Sequence, residues 1–292
     1  MTSPAGGLPA PYRLAQLEEI DSTNSEAMRR ALAGDRGPLW VLADRQTGGK
    51  GRSGRVWETA PGNLFASLLI PATGPVAKAG QLSLVAGVAV IEALRQAGLG
   101  SGALRLKWPN DILIGPAKLG GILVESSTPA APDGRIAVIG VGLNLESTPQ
   151  GLKDSATNLA AHGLTLSPGD ALCFLAGAMD TWLKTWNDGA GFDSVRKGWL
   201  ERAGAPGEML TVHTREGDVT GRFAGLDADG ALRVALAAAR ERALPSGHAP
   251  PVGNQAAHPP RPPMRAGRPR PPSLVTPLSS ERSATPAQPR RN

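Results

Sequence analysis

Two stretches hold most of the residues able to do chemistry. The first, Gly49-Lys50-Gly51-Arg52-Ser53-Gly54-Arg55, places three cations among three glycines within seven residues. Glycines let backbone N–H groups turn inward and let the chain approach a ligand closely, so the segment suits a phosphate or a carboxylate. Its letters match GxGxxG, but a dinucleotide fingerprint must open a helix. Here Trp57-Glu58-Thr59-Ala60-Pro61-Gly62-Asn63 follows, which is turn-like, and GxxxxGK[ST] is not met either. The second stretch, Lys107-Trp108-Pro109-Asn110-Asp111, precedes Lys118-Leu119-Gly120-Gly121-Ile122-Leu123-Val124-Glu125. Pro109 keeps Trp108 extended and interrupts a ladder, so Asn110 and Asp111 emerge on a turn. Taken singly, each feature has a plain reading: a solvated loop, a turn, and Lys118 as an edge-strand gatekeeper.

The elements that must position these residues follow from turn signals and periodicity. Asp21-Ser22-Thr23-Asn24 followed by EAMRRALAG reads as an N-capped helix stopped at Gly34. Gln81–Gly98 has helical apolar spacing, and so does Ser167 to about Arg202. Leu39–Ala43, Leu64–Ile70, Leu104–Trp108, Ile112–Ile114, Lys118–Glu125 and Arg135–Leu145 read as strands. The fold class expected is α+β, a mixed sheet with flanking helices. After Pro206-Gly207, three short strands (Glu208–His213, Val219–Leu226, Ala231–Leu236) suggest a small β-barrel. The divisions expected are a flexible 1–12, a catalytic domain over 13–203, a β module over 204–244 and a disordered tail over 245–292.

Charge separates the tail from the rest. From Arg240 onward there are nine Arg, no Lys and two acids, whereas the remainder has 22 basic and 23 acidic residues. The basic excess of the chain therefore says nothing about nucleic-acid binding by the folded part. The tail has 13 prolines from Pro245 on and no apolar periodicity, so it is expected to be disordered, an unrelated or out-of-frame extension. Its arginines lack interleaved aromatics for base stacking. One cysteine, Cys173, excludes an intramolecular disulfide framework and Cys-rich metal sites. No close-spaced histidine pair, signal peptide or membrane-spanning run is seen, and a cytoplasmic setting is expected.

Taken together, Ser22-Thr23-Asn24, Gln46, the loop 48–55, KWPND, KLGGILVE and IGVGLNL (Ile139–Leu145) resemble the catalytic domain of biotin protein ligases over about residues 12–236. The resemblance implies a class II synthetase-like catalytic domain followed by an SH3-like barrel. That barrel is expected to be incomplete and to lack its closing strand, because Pro245 arrives where the strand should run. It implies condensation of biotin with ATP to biotinyl-5′-AMP, then transfer of the biotinyl group to a lysine of a biotin carboxyl carrier domain. Lys118, Arg52 and Asp111 are the implied catalytic residues. Ser22, Thr23, Asn24, Gln46, Gly49, Lys50, Gly51, Arg52, Lys118 and Gly121 are implied to bind biotin. Arg52, Arg55, Trp57, Asn110, Lys118 and Asn144 are implied to bind ATP.

Asp111 is implied to serve either Mg²⁺ or the incoming lysine. The Mg²⁺ would be held mostly by phosphates, with no dedicated ligand cluster. With about 20 residues before Ser22, no DNA-binding domain is expected, nor a membrane role, and the chain is expected to be a monomer or weak homodimer. Lys50 stands where the family usually has arginine, keeping the charge but not the bidentate fork. A lipoate or octanoyl ligase or transferase of the same superfamily is the neighbouring alternative. An anionic-surface binder acting through the tail is a different class of reading.

Overall fold

Seven strands build the main sheet: β1 (Arg13–Ile20), β2 (Leu39–Gln46), β3 (Leu64–Ala72), β4 (Leu104–Lys107), β5 (Asp111–Ile114), β6 (Ala117–Ser127) and β7 (Arg135–Leu143). They run in the order β1-β2-β3-β7-β6-β5-β4; β1 and β2 are parallel and the other pairs antiparallel. The computed structural model describes residues 7–72, 78, 80–100, 104–127, 135–149, 155–214, 217–236 and 240–245, all within the unit Met1–Asn254. Residues 246–292, where most of the tail expected to be disordered falls, lie outside the described residues, as do residues 1–6. Among the described residues, no helix is long and apolar enough to cross a membrane.

Strand register divides the sheet into two faces with different work. The pairs Leu39↔Leu69, Val41↔Ser67, Leu69↔Val138 and Ser67↔Gly140 put these side chains on one face. Helix α1 (Thr23–Leu32) covers Leu39, Val41, Leu69, Ile136 and Val138 there with Ala27, Met28 and Ala31. Farther along the same face, the residues change to Ser67, Gly140, Gly142 and Gly121, and the sheet surface becomes shallow and polar. The opposite face (Trp40, Leu42, Leu64, Leu68, Ile122, Ile139, Val141) is buried under α2 (Gln81–Gln96) and α3 (Pro168–Trp186). Each fully buried Leu or Ile there contributes roughly 1.5–3 kcal/mol. The polar indole nitrogen of Trp186 is satisfied in this layer by Gln81 Oε1 at 2.8 Å.

Three differences from the sequence reading have physical causes. Strand β1 was not expected; RLAQLEEI is a partly exposed edge carrying three charges, and only Ala15 and Leu17 pack on the core. The single helical stretch from Ser167 is two helices. Asn187, Asp188 and Gly189 take positive φ (45°, 51° and 91°), so the chain turns before α4 (Phe192–Leu200). In the C-terminal module, β8 (Met209–Thr214), β9 (Gly217–Leu226) and β10 (Leu232–Leu236) are joined by β11 (Arg240–Leu244), the strand expected to be missing. One buried apolar anchor, Leu244, suffices because the hairpin partner β10 supplies the ladder; alternating arginines hide such a strand from an apolar pattern. Among the described residues the four strands form an open antiparallel meander in the order β11-β10-β9-β8, as the expectation of an incomplete barrel allows.

Candidate active site

The polar end of the α1 face gathers residues from five separate segments. Ser22, Thr23 and Asn24, at the start of α1, are each less than 5% exposed. Ser22 occupies the N-cap position, but its side chain makes no capping bond, so its burial is not explained by capping. The Thr23 N–H and hydroxyl both reach Gln46 Oε1, at 2.8 and 3.1 Å. Ser67 Oγ on β3 lies 2.7 Å from Thr23 Oγ1 and 2.6 Å from Asn24 Oδ1. Asn24 Nδ2 donates to Glu125 Oε2 at 2.8 Å. Gly140 makes room for this: a Cβ there would sit 2.2 Å from Asn24 Oδ1.

The cationic loop leaves β2 as a hairpin-like flap. Lys50 bridges Val56, Gly51 N–H donates to the Arg55 carbonyl at 2.7 Å, and Trp57 N–H donates to the Gly49 carbonyl at 2.9 Å. Gly49 is obligatory, since a Cβ would lie 2.4 Å from the Trp57 carbonyl oxygen. Lys50 Nζ donates to Ser25 Oγ at 2.8 Å, tying the flap to α1. Arg52 turns inward and donates to Asn110 Oδ1 at 3.3 Å, whereas Arg55 is exposed. Burial pulls the Arg52 guanidinium below its ordinary pKa; the Asp111 charge opposes that shift and the Arg55 charge adds to it.

The Trp57 indole lies on a floor of glycines, with Gly142 and Gly121 so close that Cβ atoms there would fall 2.7 and 3.3 Å from its ring. Its Nε1 is buried with no hydrogen-bond partner, and Lys118 Nζ sits 5.4 Å from the ring centroid.

Lys118 also pairs with Asp111 at 2.6 Å. Its backbone is clasped: its N–H donates to the Ser155 carbonyl and its carbonyl accepts from Thr157 N–H, both at 2.9 Å. Asn144, 4% exposed, turns its amide to the Thr157 carbonyl at 3.0 Å and so holds this clasp. Asn110 docks its turn onto β6, exchanging bonds with Ile122 at 2.8 and 3.0 Å.

The structure thus brings Ser22, Thr23, Asn24, Gln46, Gly49, Lys50, Gly51, Arg52, Trp57, Asn110, Asp111, Lys118, Gly121 and Asn144 to one end of the sheet. Arg55 has only its backbone engaged there. Sequence reasoning missed Ser67, Glu125 and the clasp over 155–157. The alternation Gly140-Val141-Gly142 was a signal that two glycines share one strand face. Nothing local marks Ser67, one polar residue inside an apolar strand. Among the described residues, no group of three or more His, Cys, Asp or Glu side chains is placed to hold a metal.

Comparison with known proteins identifies the family. Residues 17–144 match the Biotin/lipoate A/B protein ligase family. The biotin–[acetyl-CoA-carboxylase] ligase of Paracoccus denitrificans is 36% identical over 222 residues, covering 74% of this chain and 91% of that protein. The bifunctional ligase/repressor BirA of Bacillus subtilis is 34% identical over 206 residues, covering 66% of this chain but 60% of that protein. Among solved structures, the biotin protein ligase of Aquifex aeolicus in complex with biotin and ATP superposes with a TM-score of 0.67 at 28% identity, covering 81% of this chain and 97% of that one. The chain belongs to the biotin protein ligases of the Biotin/lipoate A/B protein ligase family.

Proposed function

We propose that this site activates biotin with ATP to biotinyl-5′-AMP and passes the biotinyl group to a lysine of a carrier domain. One observation carries the reading: a neutral hydrogen-bonding cluster (buried Thr23 and Asn24 with half-buried Gln46) and a cationic cluster (Lys118, Arg52) share one glycine floor. The first suits the uncharged cyclic urea of biotin. The second suits the place where a carboxylate meets a phosphate. Two anions must approach each other in adenylation, so fixed positive charge is the chief requirement. Lys118 would sit between the biotin carboxylate and the α-phosphate, held by the clasp over 155–157. Arg52, partly desolvated, would neutralise the phosphate from above as the flap closes. Attack of the carboxylate oxygen on the α-phosphorus then expels pyrophosphate. In the second step the acceptor amine displaces AMP from the mixed anhydride.

The donor set fits Mg²⁺ in a limited way. Asp111 and Asn110 offer one carboxylate and one amide oxygen, so they would hold an ion carried chiefly by the ATP phosphates, where it neutralises charge. Asp111 already engages Lys118, so it serves equally as the group that receives an incoming lysine.

Both named relatives and the Aquifex structure are biotin ligases, which disfavours the lipoate alternative. The tail-based reading concerns residues outside those described. Incubating the protein with ATP, Mg²⁺, an apo carrier domain and either biotin or lipoate tests the assignment: biotin should be attached to one lysine and lipoate should not. Attachment of lipoate in preference to biotin would overturn it.

A further inference from the structure

We infer that Glu125 and Ser67 are positioning residues that set which atoms of the Thr23–Gln46 cluster donate and which accept, and so make it selective for an N–H beside a carbonyl. The inference rests on the proposed biotin reading and adds residues to it. Its basis is a proton count. Asn24 Nδ2 faces Glu125 Oε2 at 2.8 Å and the Leu123 carbonyl at 3.3 Å. Both neighbours only accept, so the Asn24 amide nitrogen must point to them and its oxygen to Ser67.

Ser67, fully buried, therefore gives its one proton to Asn24 Oδ1 at 2.6 Å. The same Ser67 oxygen lies 2.7 Å from Thr23 Oγ1 and, its proton committed, can only receive there. The other neighbour of the Thr23 hydroxyl, Gln46 Oε1, is also an acceptor and already takes the Thr23 N–H. Both partners demand the single Thr23 proton, so Thr23 offers a ligand a lone pair and no proton. Because Gln46 Oε1 is fixed by Thr23, its Nε2 is left beside Gly49, at the ligand side of the flap. The cluster then presents one acceptor and one donor, matching one N–H and the C=O of a cyclic urea. A site built on buried polar groups rejects ligands that leave them unpaired.

Glu125 is half-buried at the far end of this chain of bonds and meets the proposed biotin cluster at Asn24 Nδ2, so it acts through Asn24. The experiment measures biotin binding by calorimetry, KM for ATP and melting temperature for the wild-type chain, Glu125→Leu, Glu125→Gln, Ser67→Ala and the Glu125→Leu/Ser67→Ala pair. Glu125→Leu and Ser67→Ala should each raise the Kd for biotin about tenfold. KM for ATP should stay unchanged, and the melting temperature should fall by no more than about a few degrees, as expected for one lost buried hydrogen bond. Glu125→Gln, whose amide oxygen still accepts, should stay within about threefold of wild type. The double variant should be no worse than the poorer single one, because both cut one chain of bonds.

Additive losses, Glu125→Gln failing as far as Glu125→Leu, or a parallel loss in ATP affinity would overturn the inference. So would biotin binding within about twofold of wild type in every variant. Ser67→Ala alone decides the matter if Glu125→Leu does not fold. Failure of the wild-type chain to bind biotin would remove the underlying reading as well, and so separates the two.

Discussion

Arg52 reaches Asn110 from the turn of a flap whose backbone closes on itself between Lys50 and Val56. Removing its side chain leaves the flap's backbone bonds in place but takes away the partly desolvated charge proposed to face the reacting phosphate. Arg52→Gly should therefore fold normally, make the adenylate more slowly and release it. The check is promiscuous lysine labelling of a bystander protein. Labelling confined to the carrier lysine would show that Arg52 does not retain the intermediate.

Asp21, next to the Ser22-Thr23-Asn24 cluster, behaves differently. Hydrogen bonds from Arg29 lower its pKa to about 2, aided by Ser22 N–H and the Arg29 and Lys50 charges, against an opposing burial effect. A carboxylate held below its ordinary 3.8 contributes stability that is fully present above that value and lost as the pH falls toward about 2. Asp21→Asn should therefore narrow its stability deficit relative to wild type as the pH drops through this window, with a constant deficit above pH ~5. Denaturant melts across the acid range read this directly.

Strand β7 decides whether the site has a floor. Its two glycines sit on the face shared with Ser67, and only hydrogen at those positions leaves room for the Asn24 amide and the Trp57 ring. Gly140→Ala should push Asn24 off Ser67 and Glu125 and weaken biotin binding about tenfold or more, since it breaks a buried polar contact. Calorimetric titration with biotin checks it, and unchanged affinity would deny that Asn24 needs that space.

Legibility at this level followed physical lines. The helices α1 and α2, the core strands and the turn at Pro109 were readable because their signals are local: apolar spacing and proline geometry. Strands β1 and β11 were not, because their order comes from a partner's ladder rather than from their own side chains. The site residues near glycine and charge runs were visible as motifs. Ser67 and Glu125 were not, because only register across β3, β7 and β6 brings them to Asn24.

At the scale of the whole molecule, the C-terminal meander is fastened to the segment that carries Asn110 and Asp111. Trp108 Nε1 donates to the Gly230 carbonyl at 3.2 Å, and Arg105 pairs with Glu208 at 2.8 Å. Gly230 has φ of 87°, and a Cβ there would meet Leu84 at 2.8 Å and Phe192 at 2.9 Å. Gly230→Ala should cost about 1–3 kcal/mol through strain and overpacking, seen as a lower melting temperature. Trp108→Phe removes the N–H donor and shrinks the ring packed against the core. It should cost about 1–3 kcal/mol and raise KM for ATP more than for biotin, because it loosens the Asn110–Asp111 turn and leaves Thr23 and Gln46 untouched. Equal changes in both KM values would deny that coupling.

The central claim is that one end of the sheet joins a carboxylate to a nucleotide, with Lys118 at the junction. Mixing the purified chain with biotin, ATP and Mg²⁺ and analysing the quenched reaction by mass spectrometry tests it most directly. The wild-type chain should yield biotinyl-5′-AMP, and a folded Lys118→Ala variant should yield at least a hundredfold less, on the order of what one preorganised charge contributes. No biotinyl-5′-AMP from the wild-type chain, or an equal yield from the variant, would contradict it.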